Sequence, residues 1–372
     1  MDSLDRQPTK LQVITADIFS RHAPEAQPEA PARLTWAMAG IEIAAAHCAA
    51  SAADDMASHE PPIASLTIAK PLPDHLLRAA HSQRYLDFLR RYAAAGGGQL
   101  SVDTDVTEDS YLAAATGTAA VWQGANTPRT SVAASLVIAR PPGHHANATS
   151  GSGFCLINHV AVTAKLAAGE GRRVAIVDWD VHHGNGTAEI LAADPDCLYL
   201  SLHEHPLYPY SGWITEAGVG PGLGTTVNVP LPGGLSDEQM AAAMQRIVLP
   251  CLRQHKPDLI LISAGQDGHW SDPLSTWRLT ARAYHAMAAW VRSVADEVGA
   301  NVTAVLEGGY SRRGVTLGMA GIASGLLAGS LPADACRDSA PPPAGDLGRQ
   351  QAAVAARLDA VAGFYSQFWR LS

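Results

Sequence analysis

The sequence predicts an α/β fold built on one mainly parallel sheet, and three observations predict it. Six short runs of β-branched and other apolar residues lack in–out alternation, as strands buried on both faces do. Longer Ala-rich, helix-compatible stretches separate them, so strand and helix alternate. No linker-like composition interrupts residues 10–333, so one domain accounts for this span better than the two that 372 residues allow.

The expected strands are 11–14, 134–139, 173–178, 197–202, 258–263 and 301–306. A helix over 158–168 ends at Gly169. A second, over 237–255, follows Ser236, a good N-cap. A third, over 280–298, has apolar residues at helical spacing and stops at Gly299. The uncharged run 315–333 holds Gly318, Gly321, Gly325 and Gly329, with Pro332 near its end. It reads as a tightly packed core helix rather than a membrane span. Residues 1–9 read as a polar tail and 334–348 as a Pro-rich loop. Residues 349–372 read as a terminal helix with Phe364, Tyr365, Phe368 and Trp369 at its end. That helix is expected to pack on its own domain or on a second subunit, as in a dimer or tetramer.

Composition excludes several classes. Lys plus Arg number 26 and Asp plus Glu 35, a net charge of −9, which argues against a nucleic-acid partner. Hydrophobic residues make up 47%, too many for a disordered chain. The five cysteines are odd in number and form no CxxC pair, so neither a disulfide framework nor a thiolate zinc knot is expected. The first ten residues hold no apolar secretory core, so a cytoplasmic protein without a membrane partner is expected.

Ligands of open α/β sheets bind beyond the carboxyl ends of the strands. Four of the expected strands run into chemistry there. Strand 134–139 leads to His144 and His145, and strand 173–178 to Asp178, Asp180, His182 and His183. Strand 258–263 leads to Asp267 and His269, and strand 301–306 to Gly308, Gly309 and Tyr310. Asp180 and His182 stand two apart, so on an extended chain they point the same way. With Asp267 they make a plausible three-ligand Zn²⁺ set with an open position; Fe²⁺, Mn²⁺ or Co²⁺ suit the same donors. His144 and His145 suit proton transfer, with Asp178 and Asn185 as candidates to orient their rings. The paired glycines let the chain bend to aim Tyr310 inward.

At these residues the sequence resembles the histone deacetylase family, including bacterial histone deacetylase-like amidohydrolases and acetylpolyamine amidohydrolases. The matching pieces are RPPGHH at 140–145, GSGFCLIN at 151–158, VDWDVHHGNGT at 177–187, YLSLH at 199–203, SAGQD at 263–267 and LEGGY at 306–310. Weaker matches are PEAPARL at 28–34 and SVDTDVT at 101–107. The resemblance implies an arginase–deacetylase fold with an eight-stranded sheet. It implies Zn²⁺ on Asp180, His182 and Asp267, and a structural K⁺ at Asp178, Asp180, His182, Ser201 and Leu202. His145 would be the general base, His144 with Asp178 an electrostatic partner, and Tyr310 the oxyanion donor. Phe154 and Tyr208 would wall an acyl-lysine tunnel beside Gly153, and Asp103 would hydrogen-bond the substrate at its rim. The expected activity is zinc-dependent hydrolysis of linear amides, the substrate a small-molecule or peptide N-acyl amine such as acetyl-lysine. Acetylpolyamines and other small amides are the alternative substrates, and a catalytically silent acyl-binding protein is the alternative of another class.

Four positions depart from patterns common in the family. Asn185 stands where many members carry Asp, which leaves His145 less basic. Gln266 stands where Phe is usual, and Tyr208 replaces a common Phe. Leu274 lies where polyamine-selecting eukaryotic relatives carry an acidic gatekeeper.

Overall fold

Eight strands pair in one all-parallel sheet in a computed structural model that describes residues 10–24, 27–52, 62–68, 70–341 and 347–371. The strands are β1 (Leu11–Thr15), β2 (Ile63–Thr67), β5 (Ala134–Val137), β6 (Val174–Asp178), β7 (Cys197–Glu204), β8 (Thr226–Leu231), β9 (Leu259–Ala264) and β10 (Asn301–Leu306). Their order across the sheet is β2-β1-β5-β10-β9-β6-β7-β8. A small antiparallel hairpin, β3 (Gly98–Ser101) with β4 (Thr104–Val106), stands apart. The polar tail expected at 1–9 lies outside the described residues.

The order matters for function. The four strands whose ends carry the chemistry, β5, β10, β9 and β6, are neighbours at the centre of the sheet. They are in register: Asp178 pairs with Ser263 on one side and Ser201 on the other, and Leu306 with Ala264. Parallel strands all end on one side, so one rim collects the four motifs.

Alternate residues of each strand serve opposite helical layers. Leu136, Val177 and Leu200 pack with Ile41, Met287 and Ile322 of helices Ala32–Ala52, Ala281–Val298 and Arg312–Leu326. Val137, Ile176 and Tyr199 pack with Val121 and Val160 of helices Ser110–Ala125 and His159–Gly169. The uncharged run at 315–333 is mostly the buried helix Arg312–Leu326. Among the described residues no helix is long and apolar enough to cross a membrane. A Cβ on Gly321 or Gly325 would stand 2.5 Å from the carbonyl oxygens of Ala281 or His285, so these glycines let two helices touch backbone to backbone.

Three expectations change. The sequence pattern misses β2 and β8. Strand β8 contains Pro230, and proline is tolerated because this is an edge strand. The helix expected over 237–255 is interrupted by a π-helical turn at Met244–Val248. Pro250 follows it and lacks the N–H that an unbroken helix would use there. The stretch 334–348, expected as loop, opens within a short helix, Ala333–Cys336, and the terminal helix begins earlier, spanning Leu347–Tyr365. That terminal helix lies on its own sheet. Tyr365 Oη accepts the Asn228 N–H at 2.9 Å, and Trp369 Nε1 donates to Gly224 O at 2.8 Å.

A buried ion cluster ties the N-terminal segment to the rim. Glu29 is fully buried and holds two buried arginines: Arg33 Nη1 at 2.9 Å, and Arg140 Nε at 2.5 Å and Nη2 at 2.7 Å. Burial works against the Glu29 carboxylate, but Arg140 and His22 outweigh it and hold its pKa well below the usual range. Removing Glu29 leaves two buried cations without their anion, which costs about 3–5 kcal/mol. Glu29→Ala is therefore expected to lose that much in chemical denaturation; a loss under about 1 kcal/mol would contradict the role given to this cluster.

Candidate active site

Asp180, His182 and Asp267 converge just past β6 and β9. His182 Nδ1 lies 3.2 Å from Asp180 Oδ1 and 3.0 Å from Asp267 Oδ2. All three residues are buried, and their donor atoms fall within 4.8 Å of one another. Backbone amides fix both carboxylates. Gly308 N–H donates to Asp180 Oδ2 at 2.7 Å, and Val181 N–H to Asp267 Oδ1 at 3.0 Å. A Cβ on Gly308 would collide with the Asp267 carboxylate and stand 2.6 Å from Asp180 Oδ2, so only glycine fits.

The electrostatics of this cluster favour a positive charge at its centre. Burial and the facing Asp180 push the Asp267 carboxyl up to about 7. Burial opposes charge on His182, but its hydrogen bonds to Asp180 and Asp267 raise it to about 10. Two buried carboxylates demand a positive charge between them. Two carboxylates and one imidazole, with no fourth member of the cluster among the described residues, fit a divalent ion of the zinc class with one position open.

The histidine pair stands alongside, the rings of His144 and His145 having centroids 4.1 Å apart. Their environments push them in opposite directions. Burial opposes charge on His144, yet Asp180 and Asp178 outweigh it and hold its pKa well above the ordinary value; Asp178 Oδ2 lies 3.1 Å from its Nδ1. Burial and the rings of His144 and His182 push His145 well below the ordinary value. Its Nδ1 lies 2.8 Å from Asn185 Oδ1. The Asn185 oxygen can only accept, so Nδ1 carries the proton and Nε2 keeps a free lone pair.

Aromatic rings surround this centre. Tyr208 stands edge-on to His145 at 5.2 Å and to His182 at 6.4 Å. Phe154 meets Tyr310 at 5.5 Å. The Phe154 backbone has φ 64 and is held by its N–H, which donates to Thr104 Oγ1 at 2.9 Å. Gly153 precedes it at φ 55, where a Cβ would collide with the His145 ring. Asp103, in the β3–β4 turn, accepts the Gly153 N–H at 3.0 Å and the hydroxyls of Ser101 and Thr104 at 2.8 Å each. Burial keeps the Tyr310 phenol well above its ordinary pKa, so it stays a donor. Ser201 is the register partner of Asp178, and its hydroxyl lies 2.9 Å from His203 Nδ1; Leu202 follows it on β7. Leu274 is partly buried, its N–H donating to Asp272 Oδ1 at 3.0 Å. Gln266 lies buried beneath the turn at Gly309, its amide donating to Ala264 O.

Sequence reasoning missed the residues that hold Tyr310. Arg33 packs over its ring at 5.1 Å, donates to Gly309 O at 2.6 Å and also binds Glu307 O. Gly309, at φ 118, makes the bend. Asp272 Oδ2 accepts the Tyr310 N–H at 2.6 Å. Glu307, pushed up to about 7 by burial, accepts the Gly143 N–H at 2.7 Å. Arg33 left one signal: it is a lone basic residue in the apolar stretch 30–41.

Residues 28–326 match the family model described as the histone deacetylase domain. A probable deacetylase of Archaeoglobus fulgidus is 40% identical over 239 residues, covering 63% of this chain and 66% of the relative. A histone deacetylase-like amidohydrolase of Pseudomonas aeruginosa is 39% identical over 253 residues, 66% of each chain. Part of each relative's length thus lies outside the match. The crystal structure of the HDA15 HD domain aligns over 97% of this chain and 96% of that one, with a TM-score of 0.80 and 29% identity. The sheet is that of the arginase–deacetylase fold. Because the family match runs through all four strand ends that build the site, the chain belongs to the histone deacetylase family.

Proposed function

We propose that this protein is a zinc-dependent amidohydrolase that removes an acyl group from an N-acyl amine, acetyl-lysine being the leading substrate. The observation that carries this reading is the buried set Asp180, His182 and Asp267 beside a neutral His145 and a protonated Tyr310. Zn²⁺ on those three donors would act as a Lewis acid and lower the pKa of a water from 15.7 to about 7.

The chain's own residues do the rest. His145 Nε2 takes the proton of the attacking water and delivers it to the departing amine, while Asn185 holds the ring through Nδ1. His144, kept charged by Asp180 and Asp178, puts a positive charge beside the reaction centre. Tyr310 donates its O–H to the oxygen that gains charge. One such donor is commonly worth about 3 kcal/mol in the transition state. Phe154 and Tyr208 flank the acyl chain and exclude water, and Asp103 accepts an N–H of the substrate at the rim. Asp178, Asp180, His182, Ser201 and Leu202 would hold K⁺ through carboxylate, hydroxyl and main-chain oxygens, donors that suit a hard cation.

A turnover panel of acetyl-lysine peptides, acetylputrescine, acetylspermidine and simple anilides on the zinc-loaded enzyme tests the reading. Turnover of acetyl-lysine that a chelator abolishes is expected. A zinc-loaded protein that turns over none of them would contradict it. Tyr310→Phe is expected to lower kcat about 100-fold. His145→Ala is expected to lower it about 10²–10⁴-fold. KM and the circular dichroism spectrum should change little in either; near-normal kcat would contradict the assigned roles. Gly308→Ala forces the two carboxylates apart and should weaken zinc binding at least about ten-fold in equilibrium dialysis. Unchanged affinity would show that the glycine is not needed for the site.

A further inference from the structure

The Tyr310 loop is also braced by a buried chain of hydrogen bonds that starts at Asp338. His269 is fully buried. Its Nε2 lies 2.7 Å from Asp338 Oδ2, and its Nδ1 lies 2.8 Å from Ser271 Oγ. Ser271 Oγ in turn lies 2.7 Å from Ser311 Oγ. Ser311 caps helix Arg312–Leu326, its Oγ accepting the Gly314 N–H at 2.9 Å.

One arrangement of protons satisfies every member. The Ser271 N–H also points at His269 Nδ1, at 3.2 Å, so Nδ1 is an acceptor and Nε2 carries the proton toward Asp338. Ser271 O–H then donates to Nδ1, and Ser311 O–H donates to Ser271 Oγ. The carboxylate at the end sets the direction of the whole chain. Asp338 is 2% exposed and well anchored. It accepts the Ala281 N–H at 3.0 Å, Trp270 Nε1 at 3.1 Å, and Arg313 Nε and Nη2 at 3.1 Å. It also lies beyond residue 326, where the family match ends.

Ser, His and a carboxylate linked in this order can make a nucleophile. Here Ser271 Oγ is engaged by Ser311, and the chain of bonds runs into the Tyr310 loop instead of toward a substrate. Ser311 directly follows Tyr310. Asp272 Oδ2 clasps both N–H groups, Tyr310 at 2.6 Å and Ser311 at 3.2 Å, and the Asp272 N–H donates to His269 O at 2.8 Å. The bonded chain and the clasp therefore grip the same two residues.

We propose that Asp338 is a positioning residue for Tyr310: through His269, Ser271 and Ser311 it fixes the backbone that aims the Tyr310 hydroxyl. This inference rests on the catalytic role given to Tyr310 above. The test is a double-mutant cycle on the zinc-loaded full chain, combining Asp338→Asn with Tyr310→Phe and measuring kcat and KM separately. A small misplacement of a catalytic group costs on the order of ten- to a hundred-fold. Asp338→Asn is expected to lower kcat about ten-fold with KM unchanged. In the Tyr310→Phe background it is expected to cause no further loss, because the group it positions is gone. An equal loss in both backgrounds, or no loss beside intact Tyr310, overturns the proposal. Should Asp338→Asn fail to fold, Ser271→Ala cuts the same chain without removing a buried charge, and the same cycle decides. If Tyr310→Phe alone leaves kcat intact, the role of Tyr310 has failed first, and that outcome is distinct from an additive cycle.

Discussion

Two carboxylates buried side by side are the constraint on which the site depends. Asp180 and Asp267 are both fully buried at the ends of neighbouring regions of the sheet, and both face His182 Nδ1. A pair of this kind repels itself unless a positive charge stands between its members. The surrounding chain is arranged around that need. Gly308 comes close enough for its N–H to reach Asp180, Val181 N–H holds Asp267, and His144 adds a cation behind them. The same cluster separates the two neighbouring histidines, one held charged and the other neutral. A neutral ring with one nitrogen tied to Asn185 is a proton acceptor by construction.

The second dependence is mechanical. Tyr310 follows two glycines, a bend with no stiffness of its own, and its placement comes from elsewhere. Arg33 reaches it from the first helix, Asp272 from the loop after β9, and the chain from Asp338 through Ser311 from the far end. Glu29 links this scaffold to the strand that carries the histidine pair, since it holds Arg33 and Arg140 together. Arg33 is thus shared between the buried ion cluster and the Tyr310 loop.

The sequence exposes the parts of this design that depend on short-range pattern. The central strands β5, β6, β9 and β10 are short, mostly apolar runs without in–out alternation, and their rim residues are adjacent in sequence to the strands that place them. Asp180 and His182, two apart, could be paired from spacing alone. The contacts that hold Tyr310 could not. Arg33 meets Gly309 across 276 residues and Asp338 meets His269 across 69, and no local periodicity encodes such pairs. Strand β8 escaped notice because Pro230 breaks the apolar run, a residue tolerated only because of the edge position. The π-helical turn before Pro250 leaves no mark in the pattern, because apolar residues keep helical spacing through it, from Met240, Ala243 and Met244 to Ile247, Val248, Cys251 and Leu252.

The claim that the buried carboxylate pair is built for a cation is tested most directly by zinc binding to metal-stripped protein. Equilibrium dialysis and the thermal midpoint would be followed together, in the natural chain and in Asp267→Asn. One Zn²⁺ per chain, a raised midpoint on binding, and loss of both effects in Asp267→Asn are expected. Absence of stoichiometric zinc binding, or binding that survives the substitution unchanged, would contradict it.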